Sequence, residues 1–275
     1  MRSARRMKEP VNTGMVPAPG DPRLAFYTDA LRLLGAADVP FVVGGAFAHS
    51  RYTGRERDTK DLDVMLRRQD VPRALDAFAD AGYDVEVPFP HWLAKAFRNQ
   101  QYTDIVFSSG NGVVQVDDRW FSHSVEAEVM GIPVSLCPPE ELLWSSAFVQ
   151  ERERYDGAAV LHLLHAQALI LDWPHLLARF GEHWPVLLSY LSLFQFAYPD
   201  RRGDIPHEVI TGLTERLAGL RQEPDNHVCR GTLLSREQFL FDLDQLGYID
   251  ARLPPHGTMT PEQAKIWTRA IDSRR

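Results

Sequence analysis

Asp61 and Asp63 flank a single leucine in the segment Asp-Leu-Asp-Val-Met-Leu, and a third aspartate, Asp104, stands further along in Tyr-Thr-Asp-Ile-Val-Phe-Ser. Acids two apart on a strand share one face, with Cα atoms roughly 6.5 Å apart, so both carboxylates lean toward one point. Like charges that close repel and raise one pKa unless a cation sits between them. Carboxylate oxygens in this arrangement suit a hard divalent ion, Mg²⁺ or Mn²⁺. If the strand of Asp104 pairs beside the first, three carboxylates converge on a two-ion site. Such a site serves phosphoryl transfer: it neutralises a triphosphate, activates a hydroxyl and stabilises a pyrophosphate leaving group. Taken alone, Asp-x-Asp also fits a half-exposed edge strand with Asp104 as a surface residue.

The elements that must position these acids are legible around them. Val39 to Val43 is a short β-branched apolar run that stops at Gly44-Gly45, which reads as a buried strand, a tight turn and a helix over about 46–52. Missing side chains at that turn let backbone N–H groups and a helix N-terminus approach phosphate oxygens. In the strand after it, Asp61, Asp63 and Met65 face one side while Leu62, Val64 and Leu66 face the core. A helix follows with Asp70 as N-cap, Pro72 in its first turn, Leu75 and Phe78 inward and Gly82 after its end. Upstream, Leu24, Tyr27, Leu31 and Leu34 make a helical stripe that Gly35 closes. Downstream, Tyr102 to Ser108 reads as a strand, and Asn111-Gly112 signals a hairpin into Val113 to Val116.

From Pro138 onward the 3.6-residue period dominates, through 140–149, 158–171, 173–180 and 184–196, with further helices over 208–220 and 236–246 and a loop over 199–206. The fold class is therefore α/β (α+β): an N-terminal mixed sheet flanked by helices, then a mainly helical part. The boundaries read as a mobile tail over 1–20, a core over 21–137, a helical domain over 138–250 and a C-terminal extension over 251–275.

At 275 residues and 44% hydrophobic, the chain can bury a sizeable core. A net charge of −7 disfavours a nucleic-acid acceptor, since phosphate binding needs clustered cations. Cys137 and Cys229 form no CxxC pair, which suits a reducing, cytoplasmic setting and excludes a zinc ribbon. No apolar run is long enough for a membrane span, and the basic start leads into Pro, Asn and Gly rather than an apolar signal region.

The string VVGGAFAHSRYTGRERDTKDLDVML, followed by TDIVFSSGNG, resembles the DNA polymerase β-like nucleotidyltransferase superfamily, in particular bacterial proteins related to abortive-infection toxins and small-molecule adenylyltransferases. The resemblance spans about residues 38–118. It implies transfer of an NMP group from an NTP, with ATP as the default, to an acceptor hydroxyl of unknown identity. It further implies that Gly44 and Gly45 hold the triphosphate, that Asp61 and Asp63 bind both ions, and that Asp104 completes one ion site and acts as base. Arg57 and Lys60 are further candidates for phosphate contact. In related proteins a helical segment like PEELLWSSAFVQERERYDGAAVLHLL carries a lysine near Ser146 and an acid near Ala159; this sequence has neither. Glu151, Arg152, Arg154 and Asp156 remain, so an alternative is a catalytically weak or inactive interaction module of this fold, as in a toxin–antitoxin or phage-defence pair.

Other constellations lead less far. His162 and His165 share a helix face but lack further ligands and read as partly buried core residues. Asp58, Asp61 and Asp63 do not follow the calcium-loop order. Asp117-Asp118 reads as a solvated turn, and there is no phosphate-loop or nucleophile-elbow motif.

Overall fold

The computed structural model describes residues 21–55, 59–222 and 226–270. The expected tail over 1–20 and the candidate Arg57 lie outside the described residues. The chain divides into two compact units, meeting in sequence at Pro138 and Pro139.

The first unit opens with α1 (Pro22–Ala36), capped by Asp21, whose side chain accepts from Arg23 N at 2.8 Å, with Pro22 in its first turn. Its buried stripe is Phe26, Tyr27, Ala30, Leu31 and Leu34. The helix runs past Gly35, and the left-handed residue after it is Asp38 at φ +51°. Gly35 is thus not the terminator its position suggested. Next come β1 (Val42–Val43), α2 (Gly45–Thr53) and β2 (Leu62–Met65). The apolar run of the sequence contributes only two residues of β1, both fully buried in mid-sheet.

α3 (Val71–Asp80) follows a short 3₁₀ turn over Arg68–Asp70. Asp70 occupies the cap position but makes no cap hydrogen bond, because Arg67 Nε takes its carboxylate at 2.8 Å. A meander of β3 (Asp84–Phe89), β4 (Leu93–Arg98) and β5 (Gln101–Val106) comes next. The hairpin expected at Asn111-Gly112 reduces to a single bridge, Ser108 with Gln115, and no strand covers Val113–Val116. The Asn111 carboxamide oxygen instead accepts from Val113 N and the Ser109 hydroxyl, folding the segment onto itself. After α4 (Asp118–Ser122), β6 (Val125–Val129) and β7 (Ile132–Leu136) close the sheet through a turn in which Met130 and Gly131 both take positive φ.

The seven strands lie in the order β3-β4-β5-β2-β1-β7-β6. β2 runs parallel to β5 and β1 parallel to β7, while the remaining pairs are antiparallel. Leu62, Val64, Ile105 and Ala96 are wholly buried. The mixed α/β class read from the sequence is the class observed.

The second unit contains α5 (Pro139–Ala147), α6 (Gly157–Gln167), α7 (Trp173–Phe180), α8 (Trp184–Ala197) and α9 (His207–Gly219). Beyond these lie β8 (Val228–Cys229), α10 (Leu240–Asp244), β9 (Ile249–Asp250) and α11 (Pro261–Arg269). The long helix expected over 236–246 shrinks to the five residues of α10. The Ser235–Arg236 end of that stretch is drawn to Glu151, which accepts from Ser235 Oγ at 3.0 Å and pairs with Arg236 at 3.2 Å. A buried ionic cluster ties α5 to α7: the Glu141 carboxylate, fully buried, receives Arg179 Nε at 2.7 Å and His175 Nε2 at 2.8 Å. Among the described residues, no helix is long and apolar enough to cross a membrane.

Candidate metal centre

The register of β2 on β5 decides the geometry of the acids. Asp63 lies directly beside Asp104 in a parallel pair, flanked by Leu62 with Thr103 and Val64 with Ile105. The Thr103 hydroxyl, buried, donates to the Leu62 carbonyl at 2.7 Å and pins that alignment. Asp61 precedes β2 by one residue. One carboxylate oxygen from each of Asp61, Asp63 and Asp104 lies within 4.8 Å of the others, and all three side chains are half-buried. The structure therefore brings together the three acids that the sequence holds apart. Among the described residues, no other group of three potential ligands comes this close.

Each acid is braced from behind. The Thr59 hydroxyl donates to Asp61 Oδ1 at 2.8 Å, and the Thr59 carbonyl accepts from Arg23 Nη1 at 2.9 Å, so α1 holds the approach to β2. Gly44 N donates to the Asp63 carbonyl at 3.0 Å. Gly45, the first residue of α2, has φ +53°, and a Cβ there would sit 1.7 Å from Asp63 Oδ2. A Cβ on Gly44 would meet Met65 Cε at 2.3 Å. The glycine pair is thus what allows the helix start and the Asp63 carboxylate to occupy adjoining space.

The field of the cluster is visible in its neighbours. Burial, and then the charges of Asp61, Asp104 and Asp63, push the Tyr102 hydroxyl above its ordinary value. Tyr27 is likewise pushed up, by burial first and then by Asp61. Lys95, on β4 opposite Asp104, forms an ion pair with Asp104 Oδ1 and stands 4.3 Å from the centre of the Tyr102 ring. Sequence reasoning missed Lys95. A signal existed: folding the chain back at Asn99, whose φ is +58°, places Arg98 against Gln101 and hence Lys95 against Asp104.

Three half-buried carboxylates whose oxygens lie within 4.8 Å of one another repel, which favours a cation among them. The donor set is all oxygen, the spacing fits ions shared between carboxylates, and Gly45 leaves room that a side chain would fill. The residues present fit a divalent ion.

The other candidates fall elsewhere. Lys60 is exposed, on the approach to β2. Asp117 caps α4, accepting from Arg119 N at 3.0 Å, and the mostly exposed Asp118 pairs with Arg67 at 2.7 Å. In the second unit, Ser146 lies on α5 and Ala159 is buried on α6, while Arg154 pairs with Asp156 at 2.8 Å. His165 packs on the ring of Tyr198, 4.7 Å between centres.

No family model matches the chain, and no curated protein matches it. Several solved structures are similar to it. A crystal structure of an antigenic nucleotidyltransferase-like protein from Paracoccidioides brasiliensis is 13% identical, covers 69% of this chain and 96% of its own, and superposes with a TM-score of 0.44. The lincomycin-bound lincosamide antibiotic adenylyltransferase LnuA is 19% identical, over 50% of this chain and 93% of its own, with a TM-score of 0.37. The antibiotic-resistance factor ANT(2'')-Ia is 13% identical, over 71% of this chain and 97% of its own, with a TM-score of 0.37. At superpositions this loose, the case for the site rests on its own geometry.

Proposed function

We propose that the chain is a metal-dependent nucleotidyltransferase that moves an NMP group from an NTP, ATP by default, to an acceptor hydroxyl and releases pyrophosphate. The single observation that carries this reading is the alignment of Asp104 beside Asp63, which completes a three-carboxylate cluster at the glycine turn. Asp61 and Asp63 would hold two ions and Asp104 would join one of them. Divalent ions there supply charge neutralisation for the triphosphate and for the departing pyrophosphate.

The protein's own groups do the rest. Gly44 and Gly45 present the start of α2, where backbone N–H groups without intrahelical partners face incoming phosphate oxygens. Asp104 would accept the acceptor's proton as the new phosphate ester forms. Lys60 and Arg57 are phosphate contacts in this reading. The core over residues 21–137 carries the site in this reading. Cys137 and Cys229 are not joined in a disulfide, and a cytoplasmic setting is part of this reading.

Ser146 and Ala159, where related proteins carry a lysine and an acid, motivate the second reading, a fold that binds nucleotide without efficient transfer. Incubation of the protein with labelled NTPs, Mg²⁺ and cell lysate separates the two. A labelled acceptor that disappears in Asp63→Asn supports transfer. Nucleotide binding with no labelled product supports the interaction module, and absence of NTP binding with Mg²⁺ or Mn²⁺ refutes both.

A further inference from the structure

Within the second unit, α11 borders a cavity of about 360 Å³. Its helical wall is a single face of α11, where Ala264, Lys265, Thr268 and Arg269 recur one turn apart. The lining also includes Leu240 of α10, Asp250 of β9, Arg252 and Leu253. Its polar part is braced by the chain itself. The Asp250 carboxylate accepts from Arg252 Nη2 at 2.7 Å, from Arg252 Nε at 3.0 Å and from the Thr232 hydroxyl at 2.9 Å. Arg252 Nη1 then donates to Thr268 Oγ1 at 3.1 Å, which ties β9 and the turn after it to α11. The cavity is thus formed before any ligand arrives.

The charges of the lining have a sign. Three of its four charged residues are cations, and the buried Arg252 is matched by Asp250. Lys265 and Arg269 therefore set the balance. They are exposed and four residues apart on α11, a spacing at which like charges repel and an anion between them relieves the repulsion. Ala264 beside them is buried, and Leu240 and Leu253 are half-buried, so apolar surface lies deeper than the two cations. Apolar walls with a few convergent charges, at this volume, suit a small ligand. An inorganic anion would leave the apolar walls unfilled, and a hydrocarbon would leave the cations unused.

We infer that this cavity binds a small amphipathic organic anion. Its one carboxylate or phosphate head sits between Lys265 and Arg269, and its hydrocarbon body lies against Leu240, Leu253 and Ala264. The inference stands independently of the proposed function.

Isothermal titration calorimetry of the full chain tests it with octanoate, octyl phosphate, octan-1-ol and inorganic phosphate. Octanoate or octyl phosphate should bind about tenfold or more tightly than octan-1-ol or inorganic phosphate, and the tighter of the two identifies the head. Lys265→Gln combined with Arg269→Gln removes both charges at exposed positions. It should weaken the alkyl anion by about tenfold and leave octan-1-ol unchanged. Circular dichroism establishes that the variant is folded. The wild-type chain alone tests the apolar wall, since affinity should rise by about fourfold for each CH₂ added from hexanoate to octanoate. Alkyl anions held no more tightly than octan-1-ol, or held equally by variant and wild type, overturn the inference. So does an affinity that stays level from hexanoate to octanoate.

Discussion

Replacing Gly45 by alanine isolates the contact on which the proposed metal centre depends. At φ +53° a non-glycine residue is strained by about 1–2 kcal/mol. The added Cβ would also lie 1.7 Å from Asp63 Oδ2 and 2.5 Å from its Cγ, so the aspartate must leave its place, at about 0.5–1.5 kcal/mol for the rotamer. Lower entropy of the unfolded chain offsets about 0.4–1 kcal/mol, leaving a net loss of about 2 kcal/mol. Gly54→Ala is the matched control: φ is +65° there, but nothing lies within 4 Å of the new Cβ, so only the backbone strain remains, about 1 kcal/mol. Urea unfolding with and without Mn²⁺ reads both effects. An ion at about a hundred times its Kd adds ~2.7 kcal/mol to the wild type. Gly54→Ala should keep that increment and Gly45→Ala should lose it, because Asp63 no longer points into the cluster. Equal unfolding midpoints for the two variants, with the Mn²⁺ increment intact in both, would refute the reasoning.

Further outcomes follow from other contacts. Asp63→Asn should abolish the Mn²⁺-dependent rise in Tm seen by calorimetry. Arg179→Ala leaves Glu141 buried with one partner fewer and should cost about 3–5 kcal/mol in urea unfolding. Tyr52→Phe removes a buried hydrogen bond of 2.7 Å from α2 to the Cys137 carbonyl and should cost about 1 kcal/mol by the same measurement. Burial raises the Asp250 pKa, but the hydrogen bonds and charge of Arg252 outweigh it and hold the carboxyl below its usual value. Its contribution to stability is then present above pH ~3.9, the ordinary aspartate value, and lost as pH falls through the lowered one. Asp250→Asn should flatten that part of the acid-unfolding curve, and an unchanged curve would count against the ion pair.

The candidate site was largely legible because its parts obey strong local rules. Glycines at a strand-to-helix turn and alternating acids on a strand admit few conformations, and both stand where the spacing predicts. Which strand lies beside which is another matter. Between the two acids in the chain lie β3 and β4, and neither announced itself. β3 is an edge strand, exposed along Asp84 to Val87 and containing Pro88, so the alternation that marks a half-buried strand is missing. β6 and β7 escaped because their turn uses Met130 at φ +52°, a conformation its side chain does not advertise. The expected Asn111-Gly112 hairpin failed for the opposite reason: the right residues made a local loop through the Asn111 side chain. Helices of the second unit were readable from period alone, except over 236–246, where side-chain contacts to Glu151 outweigh the pattern.

The buried hydroxyl of Thr103 has a consequence for how such a chain tolerates change over generations. Because it locks β5 to β2 at the residue before Asp104, the bend at Asn99 can lengthen without altering which acid meets which. An inserted residue between Thr103 and Asp104 is different: it would turn the third carboxylate inward among the leucines and leave the proposed ion site one ligand short. Variation among descendants should therefore gather at the bend and halt at the threonine.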